Sequence, residues 1–136
     1  MCRTTLVLLG LASLCLGLPG CSRNKPLQVT GQVTWEGKPL EQGIITFRPA
    51  NLKGPTAEAP IVKGSYTVEI APGEKRVSIQ GFQVVGKRRA SPLDPGSPEV
   101  EDKRQILPVK YSDKEKTELS RTIEPGATKL DFDLKP

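Results

Sequence analysis

The chain has 136 residues, of which 36% are hydrophobic but only 4% aromatic, and it contains 13 glycines and 13 prolines. So many turn residues exclude a helical bundle, the apolar content excludes a disordered chain, and the length leaves room for one domain with one small core. The formal net charge of +5 favours anionic surfaces only weakly and indicates ordinary solubility first.

The first 20 residues are typical of an export signal. A positive charge at Arg3 is followed by a mainly apolar stretch over residues 6–18, which ends at Pro19 and Gly20. A membrane-spanning helix needs about 20 apolar residues, and this stretch is shorter and stops at a proline. We therefore predict a cleaved leader over residues 1–20.

The end of this leader contains a lipidation motif. Leu18, Pro19, Gly20 and Cys21 resemble the bacterial lipobox, with an aliphatic residue three positions before the cysteine and a small residue directly before it. The resemblance implies that the Cys21 thiol receives a diacylglycerol, that the leader is removed, and that the new amine is acylated with a fatty acid such as palmitate. The alternative is an uncleaved or conventionally cleaved signal in which Cys21 is an incidental free thiol.

The lipidated Cys21 and residues 22–26 form a short tether in this interpretation, so that the mature protein meets the membrane through its N-terminal lipid. Five extended residues span at most about 17 Å, so the domain is expected close to the bilayer. Ser22, rather than aspartate, follows the cysteine, which resembles lipoproteins of the outer membrane. We expect a protein of the cell envelope, periplasmic or on the outer surface, attached most naturally to the outer membrane. Cys2 and Cys15 leave with the leader, so no disulfide forms.

From residue 27 to residue 136 the dominant pattern has a period of two, which predicts half-buried β-strands. We predict strands at 27–35, 43–49, 61–62, 66–70, 75–82, 107–111, 117–123 and 130–134. Gly31 marks a bulge or close packing, residues 51–60 form a loop, and residues 71–74 form the turn of a hairpin. The expected fold is all-β: a seven- to eight-stranded antiparallel β-sandwich with Greek-key topology over residues 27–136.

Several turn and strand motifs together resemble a known family. They are Val29-x-Gly31-x-Val33, Glu36-Gly37-Lys38-Pro39-Leu40, residues 43–49, Gly64-x-Tyr66, Ala71-Pro72-Gly73, residues 107–113, Glu124-Pro125-Gly126 and residues 130–134. They are similar to the carboxypeptidase-regulatory-like, or transthyretin-like, sandwich of small planctomycete-type lipoproteins. The resemblance implies a fold and no reaction, since the related domain of carboxypeptidases is an accessory module without catalytic residues.

The composition argues against an enzyme. The chain has no histidine, which removes histidine-dependent triads, most zinc sites and the commonest general base near neutral pH. It ends in Asp133-Leu134-Lys135-Pro136, without the Tyr-Arg-Gly-Ser ending of transthyretin-like hydrolases. Asp131 and Asp133 share a strand face, and a solvated surface is favoured there over a calcium site. We expect no catalytic residue, no metal and no cofactor.

The segment GKRRASPLDPGSPEVEDKRQ, residues 86–105, is predicted as a long loop. Loops of this length are usually functional or disordered. A mobile solvated loop is favoured, and the alternative is a contact surface for an envelope protein or an acidic polysaccharide, with Lys87, Arg88 and Arg89 as the candidate residues. The nearly balanced charge of the segment argues against nucleic acid. Trp35 and Tyr111 are predicted in the core rather than as sugar-stacking residues.

These observations favour a non-catalytic, membrane-anchored envelope lipoprotein whose β-sandwich is a structural or protein-interaction module. The alternative is a module of the cell envelope that binds carbohydrate or a small ligand.

Overall fold

The computed structural model describes residues 25–136. The predicted leader, the lipobox residues Leu18, Pro19 and Gly20, and the predicted lipidation residue Cys21 lie outside the described residues. The described chain is mostly strand, which confirms the all-β prediction, and no helix in it is long and apolar enough to cross a membrane. Its elements are β1 (Leu27–Trp35), β2 (Lys38–Pro39), β3 (Gln42–Pro49), β4 (Ala57–Val62), β5 (Ser65–Ile70), β6 (Gly73–Arg89), β7 (Glu99–Gln105), α1 (Val109–Ser112), β8 (Ser120–Ile123) and β9 (Phe132–Leu134).

The strands form one curled sheet in the order β2-β1-β5-β4-β3-β6-β7, with β8 on β6 and β9 on β1. Between β4 and β5 only Val62 and Ser65 pair, so the sheet opens at this point. Phe47 on β3, Tyr66 on β5 and Phe132 on β9 nevertheless meet, with ring centroids 6.1 to 6.5 Å apart. The sheet therefore curls around one shared core.

The core follows the period-two pattern of the sequence. On β5, Tyr66, Val68 and Ile70 are buried, while the residues between them are exposed. Strand β1 alternates in the same way, because each strand turns one face to the core and the other to solvent. The buried hydrophobic residues are Val29, Val33, Leu40, Ile45, Phe47, Ala59, Ile61, Tyr66, Val68, Ile70, Val77, Ile79, Leu107, Ile123, Phe132 and Leu134.

Gly31 confirms the expectation of close packing. A Cβ atom at this position would overlap the carbonyl oxygen of Leu130 and come within 2.8 Å of the Tyr66 ring. The Tyr66 hydroxyl donates a hydrogen bond of 2.6 Å to the same Leu130 oxygen. Burial, with a smaller contribution from Asp131, raises the pKa of the Tyr66 phenol above its usual value. The segment before β9 is thus held against β1 and β5.

Several local predictions were wrong. The turn at 71–74 does not close a hairpin, because β5 pairs with β1 and β4 whereas β6 pairs with β3, β7 and β8. Residues 109–112 form the one-turn helix α1 rather than a strand. Strand β9 runs parallel to β1, not antiparallel to a neighbour. Turn residues show where a chain reverses, but the strand that it then joins is decided by long-range competition for partners.

The predicted long loop over residues 86–105 is also mostly strand. Strand β6 continues to Arg89, β7 begins at Glu99, and only residues 90–98 connect them. The two strands pair from Phe82 with Gln105 to Arg89 with Glu99, with a register shift at Val85 typical of a β-bulge. We call residues 83–105 the ribbon.

The direction of the strands separates two ends of the molecule. Leu27 pairs with Ile70, and β6 begins just after it at Gly73, so these residues share what we call the N-terminal end. Successive antiparallel pairings give β6 the same direction as β1, so Phe82 and Trp35 lie at the opposite end. The ribbon continues from that opposite end, which we call the ribbon end.

Candidate binding surface at the ribbon end

The ribbon extends past the rest of the sheet. Strand β3 begins at Gln42, opposite Phe82, so residues 83–89 of β6 have β7 as their only strand partner in the described chain. No residue from 83 to 105 is buried, and Leu93 near the tip is 95% exposed. A two-stranded β-ribbon in water is marginal without further packing, so we take this element as the candidate contact surface.

The three basic residues predicted as a contact site lie on this ribbon, but not on one face. Successive strand residues point to opposite faces, so Lys87 and Arg89 share one face and Arg88 occupies the other. Arg88 Nε lies 3.7 Å from Asp102 Oδ1. Among residues 25–136, neither Lys87 nor Arg89 forms an ion pair within 4.0 Å. Glu101 and Glu99 stand opposite them on β7, and the Arg89 guanidinium donates a hydrogen bond to the Pro95 carbonyl, so these two residues are the basic groups of the predicted site that lack an ion pair.

Both edges of the ribbon lack a strand partner among the described residues, since β7 pairs only with β6, and the edge on the β6 side lies next to β3. The Ala90 N–H donates a hydrogen bond of 2.9 Å to the Pro98 carbonyl, so the main chain of Ala90 faces β7. In an antiparallel pair these directions alternate along the strand, so the N–H and C=O groups of Lys87 and Arg89 face away from β7. We call this side of residues 83–89 the open edge. It continues the line along which β6 pairs with β3.

A cleft of about 540 Å³ lies beside the start of the open edge, between β6 and the β1–β2 turn. Glu36, Lys38, Glu41, Gln42 and Gln83 add polar groups at its margin. Its apolar lining consists of Trp35, Pro39, Leu40, Phe82, Val84 and Ile106.

Two paired glycines allow side chains to pack closely at the base of this cleft. Gly43 and Gly81 are directly opposite each other on β3 and β6. A Cβ at Gly81 would lie 2.8 Å from Leu40 Cδ1 and 2.9 Å from Leu107 Cγ, so its absence lets both leucines pack on the sheet. Sequence reasoning missed the cleft, although glycines inside strands are a signal of close approach that could have pointed to it.

Trp35 is only partly buried, although the alternation predicted it in the core. Its ring meets the Tyr111 ring edge to face, with centroids 6.4 Å apart and planes at 79°. The Tyr111 hydroxyl in turn donates a hydrogen bond of 2.8 Å to the Lys135 carbonyl. Both rings pack against the core from its margin, which leaves part of Trp35 to line the cleft.

The two aspartates considered as calcium ligands accept hydrogen bonds from β1. Asp131 Oδ1 accepts a hydrogen bond of 2.9 Å from the Gln32 N–H, and Asp133 Oδ1 accepts one of 2.8 Å from the Thr34 hydroxyl. They join the last segment of the chain to β1. In the part of the chain that the structure describes, no three acidic, histidine or cysteine side chains are grouped to hold a metal ion.

A second polar cluster fastens the segment after α1. Arg48 Nη1 lies 2.7 Å from Glu115 Oε1, and its Nη2 donates a hydrogen bond of 2.9 Å to the Lys114 carbonyl. The hydrogen bond from Arg48 lowers the pKa of the Glu115 carboxyl. Asp113 accepts hydrogen bonds from the N–H groups of Glu115 and Lys116, which lower its pKa. These contacts stabilise the loop that follows α1.

Comparison with known proteins defines no family for this chain. No protein-family model matches it, and no curated protein matches it. Among solved structures, a 9R-lipoxygenase from Cyanothece PCC8801 aligns with 90% of the chain at 13% sequence identity and a TM-score of 0.35. The chain spans 18% of the length of that lipoxygenase chain. A likeness this loose carries no argument about fold family or activity.

Proposed function

We propose that this protein is a non-catalytic lipoprotein of the cell envelope that binds a partner through its ribbon end. The observation that carries the proposal is the position of the two ends. The chain enters the domain at Leu27, and the ribbon leaves from the opposite end. A lipid anchor on Cys21 would hold the N-terminal end near the membrane and direct the ribbon away from it.

Strand lengths give the scale of this arrangement. Strand β1 has nine residues, which corresponds to about 30 Å at 3.3 Å per residue. Residues 83–89 add about 20 Å beyond the sheet. A partner would therefore meet the ribbon well above the bilayer, where headgroups do not compete for it.

The remaining parts of the proposal rest on sequence patterns and on the general shape of the fold. We propose a cleaved leader over residues 1–20, attachment to the outer membrane and a transthyretin-like, Greek-key sandwich. The curled sheet around a shared core is compatible with such a sandwich. The motif residues Glu36, Gly37 and Gly64 have φ angles of 52°, 79° and 79°, so these turns need the left-handed region. The absence of histidine and of any cysteine after Cys21 favours a non-catalytic role.

The cleft supports a second candidate function, the binding of carbohydrate or another small ligand. A partly exposed tryptophan beside carboxylate and amide side chains is a usual lining for such a site. Trp35 is the single tryptophan of the chain, so its emission reports directly on the cleft. A saturable change in that emission on adding soluble envelope polysaccharide would support this second candidate, and an unchanged spectrum would exclude it for the polysaccharide tested.

Fatty-acid labelling tests the anchor. Wild-type protein and the variant Cys21→Ser are produced in a bacterium that processes lipoproteins and is supplied with labelled palmitate. We expect the label and the membrane fraction to be associated with the wild type only. Equal labelling of both proteins, or an unmodified cysteine in the wild type, would contradict the anchor.

Site-specific photo-crosslinking tests the orientation. A photoreactive residue replaces either Leu93 at the tip of the ribbon or Glu124 in the exposed turn after β8, which is at the N-terminal end because Ile123 pairs with Gly73. We expect protein adducts from position 93, and lipid adducts or none from position 124. Protein adducts from position 124 alone would overturn the proposed function.

A further inference from the structure

We infer that the open edge of the ribbon binds an extended acidic peptide segment, which adds as a strand to β6 and places apolar residues in the cleft. This inference deepens the proposed function, because it names the chemistry of the partner. It rests on three features: free main-chain groups, basic side chains that form no ion pair, and an apolar cavity in line with both.

The main chain offers a place for one strand. The last pair between β3 and β6 joins Gln42 to Phe82. After Phe82, the same side of β6 has no strand partner within residues 25–136. A segment running antiparallel to β6 would be collinear with β3 and would form hydrogen bonds with Lys87 and Arg89. The β-bulge at Val85 lies on the same stretch, and it determines which of the following residues turn their main-chain N–H and C=O groups to the open edge.

The side chains select for charge. Lys87 and Arg89 project from one face of the edge, they are exposed, and neither forms an ion pair with another described residue. Residues at alternate positions of an added strand would stand directly opposite them. Glu101 and Glu99 face Lys87 and Arg89 from β7 without an ion pair within 4.0 Å, so acidic residues on the added strand would give both basic groups a carboxylate partner on the side of the open edge.

The cleft sets the direction of the peptide. An antiparallel strand first passes Arg89 and Lys87 and then reaches Val84 and Phe82, which line the cleft. Its acidic residues must therefore precede its apolar ones. The cleft has β6 as one wall and the β1–β2 turn, with Trp35, as the other. The apolar residues of the peptide would lie between these walls and contact Trp35.

A second copy of this chain does not fit the edge in register, although its own β7 begins with the acidic sequence Glu-Val-Glu-Asp. If β7 of a second copy paired with residues 83–89, that strand would be collinear with β3. The folded body that follows Gln105 would then occupy the space of β3 and β4. The occupant is accordingly a segment that ends, or turns away, at the cleft, such as the C-terminal tail of a partner.

Peptide titration tests the inference on the full chain in detergent micelles, with Trp35 emission as the signal. The probe is a capped synthetic peptide with glutamates at its first and third positions and leucines at its last two. We expect saturable binding, and about tenfold weaker binding for the peptide with lysines in place of the glutamates. Equal affinity for both peptides would overturn the charge selection, and no binding of either would overturn the site.

N-methylation of the peptide separates strand addition from simple charge attraction. Methyl groups on alternate peptide nitrogens remove either the N–H groups that face β6 or those that face solvent. We expect only the first set to weaken binding, by about tenfold or more. Equal loss from both sets would show that no strand is added and that the charged edge serves only to discourage aggregation.

Matched variants locate the site. The double variant Lys87→Glu/Arg89→Glu removes the basic pair on the open edge, while Lys103→Glu/Arg104→Glu makes the same charge change on β7. We expect loss of peptide binding from the first and retention in the second. A loss in both, displacement of the peptide by polysaccharide, or dimerisation in place of binding would contradict the inference. None of these results depends on the anchor or on crosslinking at Leu93, so the proposed function can fail or stand separately.

Discussion

At the scale of single residues, the fold depends on a few close approaches that allow no extra atoms. The clearest is at Gly31, where the Leu130 carbonyl passes over the backbone and receives the Tyr66 hydroxyl. Side-chain volume and one buried hydrogen bond together hold the last segment of the chain against β1. Both can be tested by changing one or a few atoms.

Substitution Gly31→Ala is expected to lower the free energy of unfolding by about 3 kcal/mol, because the new Cβ overlaps a backbone oxygen that cannot move without disturbing two strands. Urea denaturation measures the change. The control is Gly86→Ala, where a Cβ meets no atom within 4 Å and the φ angle is not positive, and it should have little effect. Similar losses in the two variants would contradict the close approach.

Substitution Tyr66→Phe is expected to cost about 1 kcal/mol at neutral pH, because it removes the hydrogen bond to Leu130. The pKa of the phenol is raised in the folded state, so the neutral form stabilises the fold. That stabilisation is complete below the unfolded-state pKa of about 10 and is lost as the pH rises above it. The difference between wild type and variant should therefore shrink at alkaline pH, whereas Tyr111→Phe provides the comparison for general alkaline effects.

At the scale of elements, the ribbon differs from the strands that enclose the core. Strands β1, β4 and β5 alternate between a buried and an exposed face, and β3 has no exposed residue, whereas residues 83–105 are exposed or only partly buried on both faces. The ion pair of Arg88 with Asp102 and the pairing of main-chain groups join its two strands. It therefore contributes exposed surface rather than core.

Shortening the ribbon should leave the domain folded. Replacing residues 84–103 by a two-residue Asn-Gly turn keeps Gln105, whose side chain accepts a hydrogen bond from the Gly81 N–H. We expect the midpoint of thermal unfolding to fall by only a few degrees, because no buried side chain is removed. Calorimetry measures it. An unfolded product would show that the ribbon belongs to the folding unit after all.

At the scale of the whole molecule, one aromatic cluster joins the two parts of the curled sheet. Phe47 lies near the rings of both Tyr66 and Phe132, which belong to strands on the other side of the opening between β4 and β5. Because β4 and β5 share so little pairing, this packing determines how the sheet closes. The separation between the N-terminal end and the ribbon end depends on the same closure.

Substitution Phe47→Ala is expected to lower the free energy of unfolding by about 3–5 kcal/mol, as large-to-small changes in a core do. A marginal domain of this size would then be partly unfolded at 37 °C. Leu93→Ala is the control, since that side chain is 95% exposed and its loss should be neutral. Denaturant titration followed by circular dichroism compares the two, and equal stabilities would contradict the role of Phe47.

Much of the interior could be predicted from the sequence, but the geometry of the candidate binding surface could not. The alternation in β1 and β5 identifies Val29, Val33 and Tyr66 as buried, because a strand face against a core must be apolar. The ribbon shows no alternation, since neither of its faces is covered, and its prolines and glycines imitate a loop. Lys87, Arg88 and Arg89 were singled out as a charge cluster, yet only their strand positions separate Arg88 from the other two.

The sequence by itself determined the all-β class, which residues of most strands are buried, and where the chain turns, because each depends on neighbours a few positions away. Only the tertiary structure decided that β6 leaves β5 for β3, that β9 runs parallel to β1, and that the ribbon and the cleft meet at the end opposite Leu27. These features depend on which strands win a competition for partners across the whole chain, and on packing such as that of Leu40 and Leu107 over Gly81. A local sequence pattern does not show which strands will pair.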